Sequence, residues 1–198
     1  MKRKKTKIMS MILALLLIGG SLVNDMVPVK AADAGVTSET IEEKEISLEE
    51  YREILIRDGF TPEEADAKIN SHVVTRGPLV KLYQVVKTKR KTIQGKYKLR
   101  CDVRVYVWRD EDYGNVEIDH ATSPYIKLEG PAIGKSYSGN QEAFTTSTKV
   151  TVDYNGQFLI TVDNSVSLSF GAITVSTDVS KTYSYWVDGS FIWNLNEI

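Results

Sequence analysis

Residues 97–108 read YKLRCDVRVYVW and alternate without interruption. Tyr97, Leu99, Cys101, Val103, Val105 and Val107 fall on one side; Lys98, Arg100, Asp102, Arg104, Tyr106 and Trp108 fall on the other, because successive strand side chains point to opposite faces of a sheet. The first set is apolar throughout, so the stretch reads as a long antiparallel strand with one face buried. The second set places Tyr106 and Trp108 beside Lys98, Arg100 and Arg104, and this face is the candidate binding surface. Aromatic rings next to cations stack sugars and grip anionic polymers. The same pattern arises where helices or a second sheet cover the outward face, so the exposure of Tyr106 and Trp108 decides between the two.

The period of two extends on both sides of this strand. VKLYQVVKTK (80–89) precedes it and pairs through a turn near Gln94-Gly95, while Val116, Ile118 and His120 open a further strand after the acidic turn DEDYGN. SPYIKLEGPAIGKSYSGN (123–140) carries two prolines and three glycines, which predicts a short strand and then a long loop. In the last third, turn length must keep apolar residues on one face. A three-residue loop at Tyr154-Asn155-Gly156 pairs Val152 with Phe158; a two-residue turn at Gly171-Ala172 pairs Phe170 with Ile173, Leu168 with Val175, Val162 with Lys181 and Ile160 with Tyr183. A three-residue loop in VDGSF pairs Val187 with Phe191. The expectation is a meander of strands 142–152, 158–170, 173–187 and 191–196. Long strands with one apolar face each bury those faces against one another, which predicts a mostly β protein built as an antiparallel β-sandwich or a partly closed barrel.

Ahead of the sheet, residues 1–31 have the grammar of a signal peptide. KRKKTK is a basic n-region, IMSMILALLLIGGSLV a 16-residue apolar core, and Val29-Lys30-Ala31 a small-x-small cleavage site. The core falls short of the roughly 20 residues that span a bilayer, so export with cleavage is expected, and the strong n-region has the style of a Gram-positive leader. Residues 32–46 are polar and acidic and read as flexible. Residues 47–70 read as a helical hairpin: Ser47 caps a helix with Leu48, Tyr51, Ile54 and Leu55 on one face, Gly59 closes it, and Thr61, Pro62 and Glu64 start the next. The β domain is expected to cover residues 78–198.

Charge is unevenly spread. Residues 33–70 hold 12 acids and 4 bases, while residues 71–198 hold 13 acids and 15 bases. Lys87, Lys89, Arg90, Lys91, Lys96, Lys98 and Arg100 follow one another with no acid between them, a run that reads as a solvated strand end. The chain after residue 31 has 19 bases and 25 acids, a balance that opposes nucleic-acid binding.

Material for catalysis is scarce. Asp119, His120 and Ser123 suggest a triad, but strand parity puts Asp119 and His120 on opposite faces, with His120 on the side of Val116 and Ile118. Asp110, Glu111 and Asp112 are hard oxygen donors that read as a solvated turn rather than a calcium loop. Cys101, the single cysteine, falls on the apolar face and reads as a small buried hydrophobe. No cofactor motif or phosphate loop is present. The reading is therefore a secreted, non-enzymatic binding protein, extracellular or loosely held at the envelope. Its expected partner is an anionic cell-wall polymer, a glycan or a membrane surface, bound through Lys98, Arg100, Arg104, Tyr106 and Trp108.

The alternative lies in SVSLSFGAITVS (165–176). Around it, strands 158–170 and 173–187 are long enough to span a bilayer as β-strands, and Ser165, Ser167, Ser169, Thr174 and Ser176 make their polar side nearly uncharged. In composition, residues 158–187 resemble the amphipathic hairpins of aerolysin-type pore-forming toxins, which implies apolar side chains facing lipid and Ser/Thr lining a lumen. Lys181 and Asn164 on the apolar face oppose this, and a sheet with one dry face gives the same alternation. Val166, Leu168, Phe170, Ile173 and Val175 are therefore expected to touch protein.

Overall fold

The computed structural model describes residues 27–28, 36–76, 80–94, 97–131, 134–162, 168–170, 173–175 and 181–198. In chain order the elements are β1 (Val27–Pro28), β2 (Thr37–Glu45), α1 (Leu48–Arg57), α2 (Pro62–Arg76), β3 (Val80–Gln94), β4 (Tyr97–Asp110), β5 (Val116–Glu129), β6 (Gly134–Thr146), β7 (Lys149–Val162), β8 (Leu168–Phe170), β9 (Ile173–Val175) and β10 (Lys181–Asn194), followed by a 3-10 turn at Leu195–Glu197. Two four-stranded sheets, ordered β2-β3-β4-β5 and β1-β10-β7-β6, pack face to face. The protein is thus a mostly antiparallel β-sandwich whose two sheets do not close into a barrel.

Strand β4 lies at the centre of the molecule. Its Leu99, Cys101, Val103, Val105 and Val107 meet Val150, Val152, Phe158, Ile160, Phe191 and Trp193 of the second sheet. Its opposite face carries the helix pair, so that Val105 through Trp108 is buried on both sides. The helices end where their sequence dictates. Ser47 Oγ accepts from the Glu50 amide at 3.1 Å. Gly59, at φ +103°, lets the Gly59 and Phe60 amides reach back to the Ile56 and Leu55 carbonyls, a closure that a left-handed residue makes possible. Thr61 and Glu64 then cap α2 reciprocally, at 2.8 and 3.2 Å. The second helix continues to Arg76 rather than residue 70, which places His72 on it.

The acidic segment 32–46 was expected to be flexible, yet its 37–45 portion is strand β2, exposed along its whole length and paired with β3. Composition alone suggested disorder because the segment has little apolar surface to bury. What holds it is the backbone ladder together with cross-strand charge: Arg90 donates to Glu39, Arg109 to Glu43, and Lys81 lies 3.4 Å from Glu45. The acidic and basic halves of the sequence meet here, edge strand against neighbour.

The register on the described arms, in the second sheet and in the separate two-stranded sheet β8-β9, follows the expectation around positions 171 and 172. Val162 pairs with Lys181, Ile160 with Tyr183, Leu168 with Val175 and Phe170 with Ile173; Val166 and the turn dipeptide lie outside the described residues. The two three-residue loops do not form. DYNGQ is the middle of the single strand β7 and VDGSF the middle of β10, with Asn155 opposite Asp188 and Gly189 opposite Tyr154. The predicted strands therefore merge in pairs, 142–152 being divided between β6 and β7. The expected loop at 134–140 is likewise strand, the first half of β6.

Glycine explains why an Asn-Gly pair stays extended here. Gly139 and Gly156 sit opposite each other, and a Cβ at Gly156 would fall 2.6 Å from the Ser138 carbonyl oxygen, 2.7 Å from Gly139 Cα and 2.9 Å from the Tyr137 ring. The two backbones approach too closely for any side chain, and Tyr137 covers the gap. Gly156→Val should accordingly lower stability by about 1–3 kcal/mol in urea unfolding, while Asn155→Ala, one residue away and exposed, should stay within about 0.5 kcal/mol. Equal effects at the two positions would contradict the close approach.

Candidate functional site

The strip on the outer face of β4 is split by the helices. Tyr106 and Trp108 are 0% and 1% exposed. Tyr51 of α1 packs on both rings, at centroid distances of 5.2 and 6.4 Å, and His72 of α2 stacks on Trp108 at 5.0 Å. These two aromatics therefore belong to a second core with Ile54, Leu55, Ala65, Ile69 and Leu82, and they do not form a binding surface. Arg104, half-buried, pairs across to Thr122. Lys98 is exposed at the far end, and Arg100 is held by Asp102 at 2.7 Å and Glu129 at 3.5 Å.

Beneath the helices lies a buried carboxylate. Asp119, 2% exposed at its side chain, accepts from the Tyr51 hydroxyl and lies 3.0 Å from Lys68 Nζ and 2.8 Å from His72 Nε2. Burial, joined by this carboxylate, pushes the Tyr51 phenol far above its ordinary range. His120 Nε2 is 3.2 Å from Asp58 at the end of α1. This corrects the expected placement of His120. A β-bulge at Asp119, between the pairs Tyr106↔His120 and Val107↔Ile118, shifts the parity of β5, so His120 leaves the side of Ile118 and faces the helices. The two histidines are engaged by different carboxylates, and Ser123 Oγ lies 3.5 Å from the Thr122 hydroxyl. The arrangement is a polar clasp between helices and sheet rather than a relay.

At the other end of the same sheet face, beyond the helices, β5 supplies what the helices took away. Tyr125 lies opposite Asp102 and is 57% exposed; Lys127 lies opposite Arg100, and Arg100 opposite Arg90. Beside them the two sheets part along β5 and β6, leaving a cleft of about 480 Å³ lined by Tyr125, Lys127, Lys135, Ser136, Tyr137 and Gln141. The Gln141 amide bridges the seam: its Oε1 accepts from the Ile126 amide at 3.1 Å and its Nε2 donates to the Pro124 carbonyl at 2.6 Å. Those two groups flank Tyr125 as the bonds from a parallel neighbouring strand would. Lys135 Nζ in turn donates to the Gly130 carbonyl. Sequence reasoning missed this cluster because it read 123–140 as mostly loop; the alternation of Tyr125, Lys127 and Glu129 was its available signal.

The other sequence candidates are structural. Asp110 Oδ1 accepts from the Asp112 and Tyr113 amides at 3.1 Å each, and Glu111 pairs with Lys81 at 3.0 Å. Among the described residues no group of three or more His, Cys, Asp or Glu is placed to hold a metal. Cys101 is buried in the sandwich, where desolvation and the neighbouring Asp102 charge push its thiol up and make it a poor nucleophile. Lys87 and Lys89 of the basic run do not belong to a free surface either. Lys87 is buried on the inner side of β3 and donates to Thr40 and the Glu197 carbonyl; Lys89 lies 2.8 Å from Glu197 Oε1, its ammonium 5.6 Å from the centre of Trp193.

Two outcomes follow from these contacts. Partial burial raises the Glu197 pKa, but Lys89 and the Asn194 amide outweigh it and hold the carboxyl below its ordinary value. A carboxyl depressed on folding contributes stability above its unfolded pKa and loses it as the pH falls through the folded one. Glu197→Gln should thus weaken the fold at neutral pH and flatten the loss of stability below pH ~4.5, read by thermal melts at stepped pH; an unchanged profile would refute the role. Tyr51→Phe, which removes one donor from Asp119, should cost about 1–2 kcal/mol in chemical unfolding, and a neutral result would show that Asp119 does not depend on it. No family model matches the chain, and no curated protein or solved structure matches it either.

Proposed function

We propose that the protein is an exported, non-enzymatic binding protein that engages an anionic polymer or glycan of the cell envelope through the uncovered end of its first sheet. The observation that carries this reading is the convergence of Lys98, Arg100, Tyr125 and Lys127 on one face, beside a cleft that adds Lys135 and Tyr137. Cations next to exposed rings suit a polymer that alternates phosphate or carboxylate with sugar or polyol. The export half of the proposal rests on the basic n-region, apolar core and Ala31 cleavage site. The non-enzymatic half rests on the engagement of His72, His120, Asp58 and Asp119 in holding the helices.

The test is retention on immobilised wall teichoic acid. Tyr125→Ala combined with Lys127→Ala should reduce retention about tenfold or more, and the wild-type interaction should weaken as salt rises. Phe144→Ala, at an exposed position on the other sheet, should change neither. Retention unaffected by the double variant would overturn the proposal.

A second reading keeps the amphipathic hairpin as a membrane-active element. The observation in its favour is the register: among the described residues β6 pairs with β7 as far as Thr161, while β8 and β9 pair with each other as a separate two-stranded sheet. A two-stranded ribbon of apolar pairs is marginal in water by itself. On this reading the full chain releases dye from phosphatidylglycerol vesicles and Phe170→Asp abolishes release; absence of release from both phosphatidylglycerol and phosphatidylcholine vesicles would eliminate it.

A further inference from the structure

A second and larger cleft lies at the opposite end of the strands, where the β4–β5 turn, the β6–β7 turn and the C-terminal 3-10 turn meet. Its volume is about 890 Å³. Asn115, Thr146, Thr148 and Asn196 give it uncharged polar walls, Val116 and Leu195 an aliphatic patch, and Lys149 is the charged residue of its lining. Backbone bonds tie the three walls together. The Leu195 amide donates to the Thr148 carbonyl at 2.8 Å, the Ile118 amide to the Ser147 carbonyl at 3.0 Å, and the Asp110 amide to the Asn115 carbonyl at 2.9 Å. A ligand entering here meets walls already ordered, so little conformational entropy is lost on binding.

Tyr113 immediately precedes Gly114 of the lining and is 81% exposed. Its turn is braced by the Asp110 carboxylate, which accepts from the Tyr113 amide, and by the Gly114 amide donating to the Asp110 carbonyl at 2.8 Å. A hydrogen-bonded turn therefore carries a solvent-exposed aromatic ring one residue from the lining of a cleft of amides and hydroxyls. The charge pattern differs from that of the other end: Asp110, Glu111 and Asp112 crowd the same turn, which disfavours a polyanion.

We infer that this cleft is a separate saccharide site, selective for an uncharged sugar bearing acetamido groups. Asn and Thr side chains exchange hydrogen bonds with hydroxyls and with an amide, the patch of Val116 and Leu195 takes the acetamido methyl, and Tyr113 stacks on a sugar ring. The inference does not depend on the anionic-polymer reading, since the two sites lie at opposite ends of the strands and share no residue.

Titration calorimetry of the full chain with triacetylchitotriose and with cellotriose tests it, because the two trisaccharides differ in an acetamido group against a hydroxyl at each ring. Triacetylchitotriose is expected to saturate the protein and cellotriose to bind at least about tenfold more weakly. Tyr113→Ala and Asn115→Ala should each weaken triacetylchitotriose binding about tenfold and leave retention on teichoic acid unchanged. No saturation by triacetylchitotriose, equal binding of cellotriose, or full binding by both variants would overturn the inference. Tyr113→Ala keeps the test decisive if Asn115→Ala disturbs its turn, since the Tyr113 side chain is solvated.

Discussion

The burial of β4 on both faces, between Val105 and Trp108, is the constraint from which the rest of the molecule follows. Tyr and Trp each remove roughly 150–250 Å² from water, which at about 25 cal/mol per Å² sets an upper scale of roughly 4–6 kcal/mol for each of Tyr106 and Trp108. Exposed ion pairs contribute under about 1 kcal/mol apiece. Apolar burial thus fixes where α1 and α2 lie, and the ion pairs at their margins, such as Arg52 with Asp66, do not. Asp119 has a different task. A buried carboxylate is costly unless its oxygens are satisfied, and Tyr51, Lys68 and His72 satisfy them together only when both helices are seated in this orientation.

The fold was legible wherever the alternation carried a consequence for burial. The two-residue turn read at Gly171-Ala172 implies one register for the strands around it, and the described pairs on either side follow that register. At DYNGQ and VDGSF the alternation keeps its phase, and there parity is silent: a three-residue loop and an uninterrupted strand both leave Val152 and Phe158, or Val187 and Phe191, on one face. Turn-forming residues at both places favour a loop, yet both stretches lie within continuous strands. The missing information is non-local, since Gly139 must stand opposite Gly156 before Asn-Gly becomes a close crossing of strands. The same holds for β2, whose glutamates make sense only against the cations of β3 and β4, and for the bulge at Asp119, which no local pattern announces.

The binding face was legible in kind but not in place. Along the outer side of β4 the residues change from Lys98, Arg100, Asp102 and Arg104 to Tyr106 and Trp108, and that change of chemistry marks where the helices begin to cover the sheet. An amphipathic helix pair upstream with an unpartnered stripe and two large rings downstream are the two halves of one contact. Reading them as separate surfaces put the aromatics in solvent. On this face the exposed ring is Tyr125, which comes from the neighbouring strand and falls beside Arg100 and Lys127 only through the pairing of β4 with β5.

The seating of the helix pair also sets how the molecule comes apart. The strands of the sandwich are laced by backbone ladders, whereas α1 and α2 rest on β4 through side chains, moored at their start by the Ile46 amide on the Leu82 carbonyl. A unit held this way opens ahead of the global transition, because little ladder must be broken to lift it. Its release exposes Tyr106 and Trp108 while both sheets persist, so the amides of α1 and α2 belong to an early-exchanging tier and those of β4 and β7 to the last.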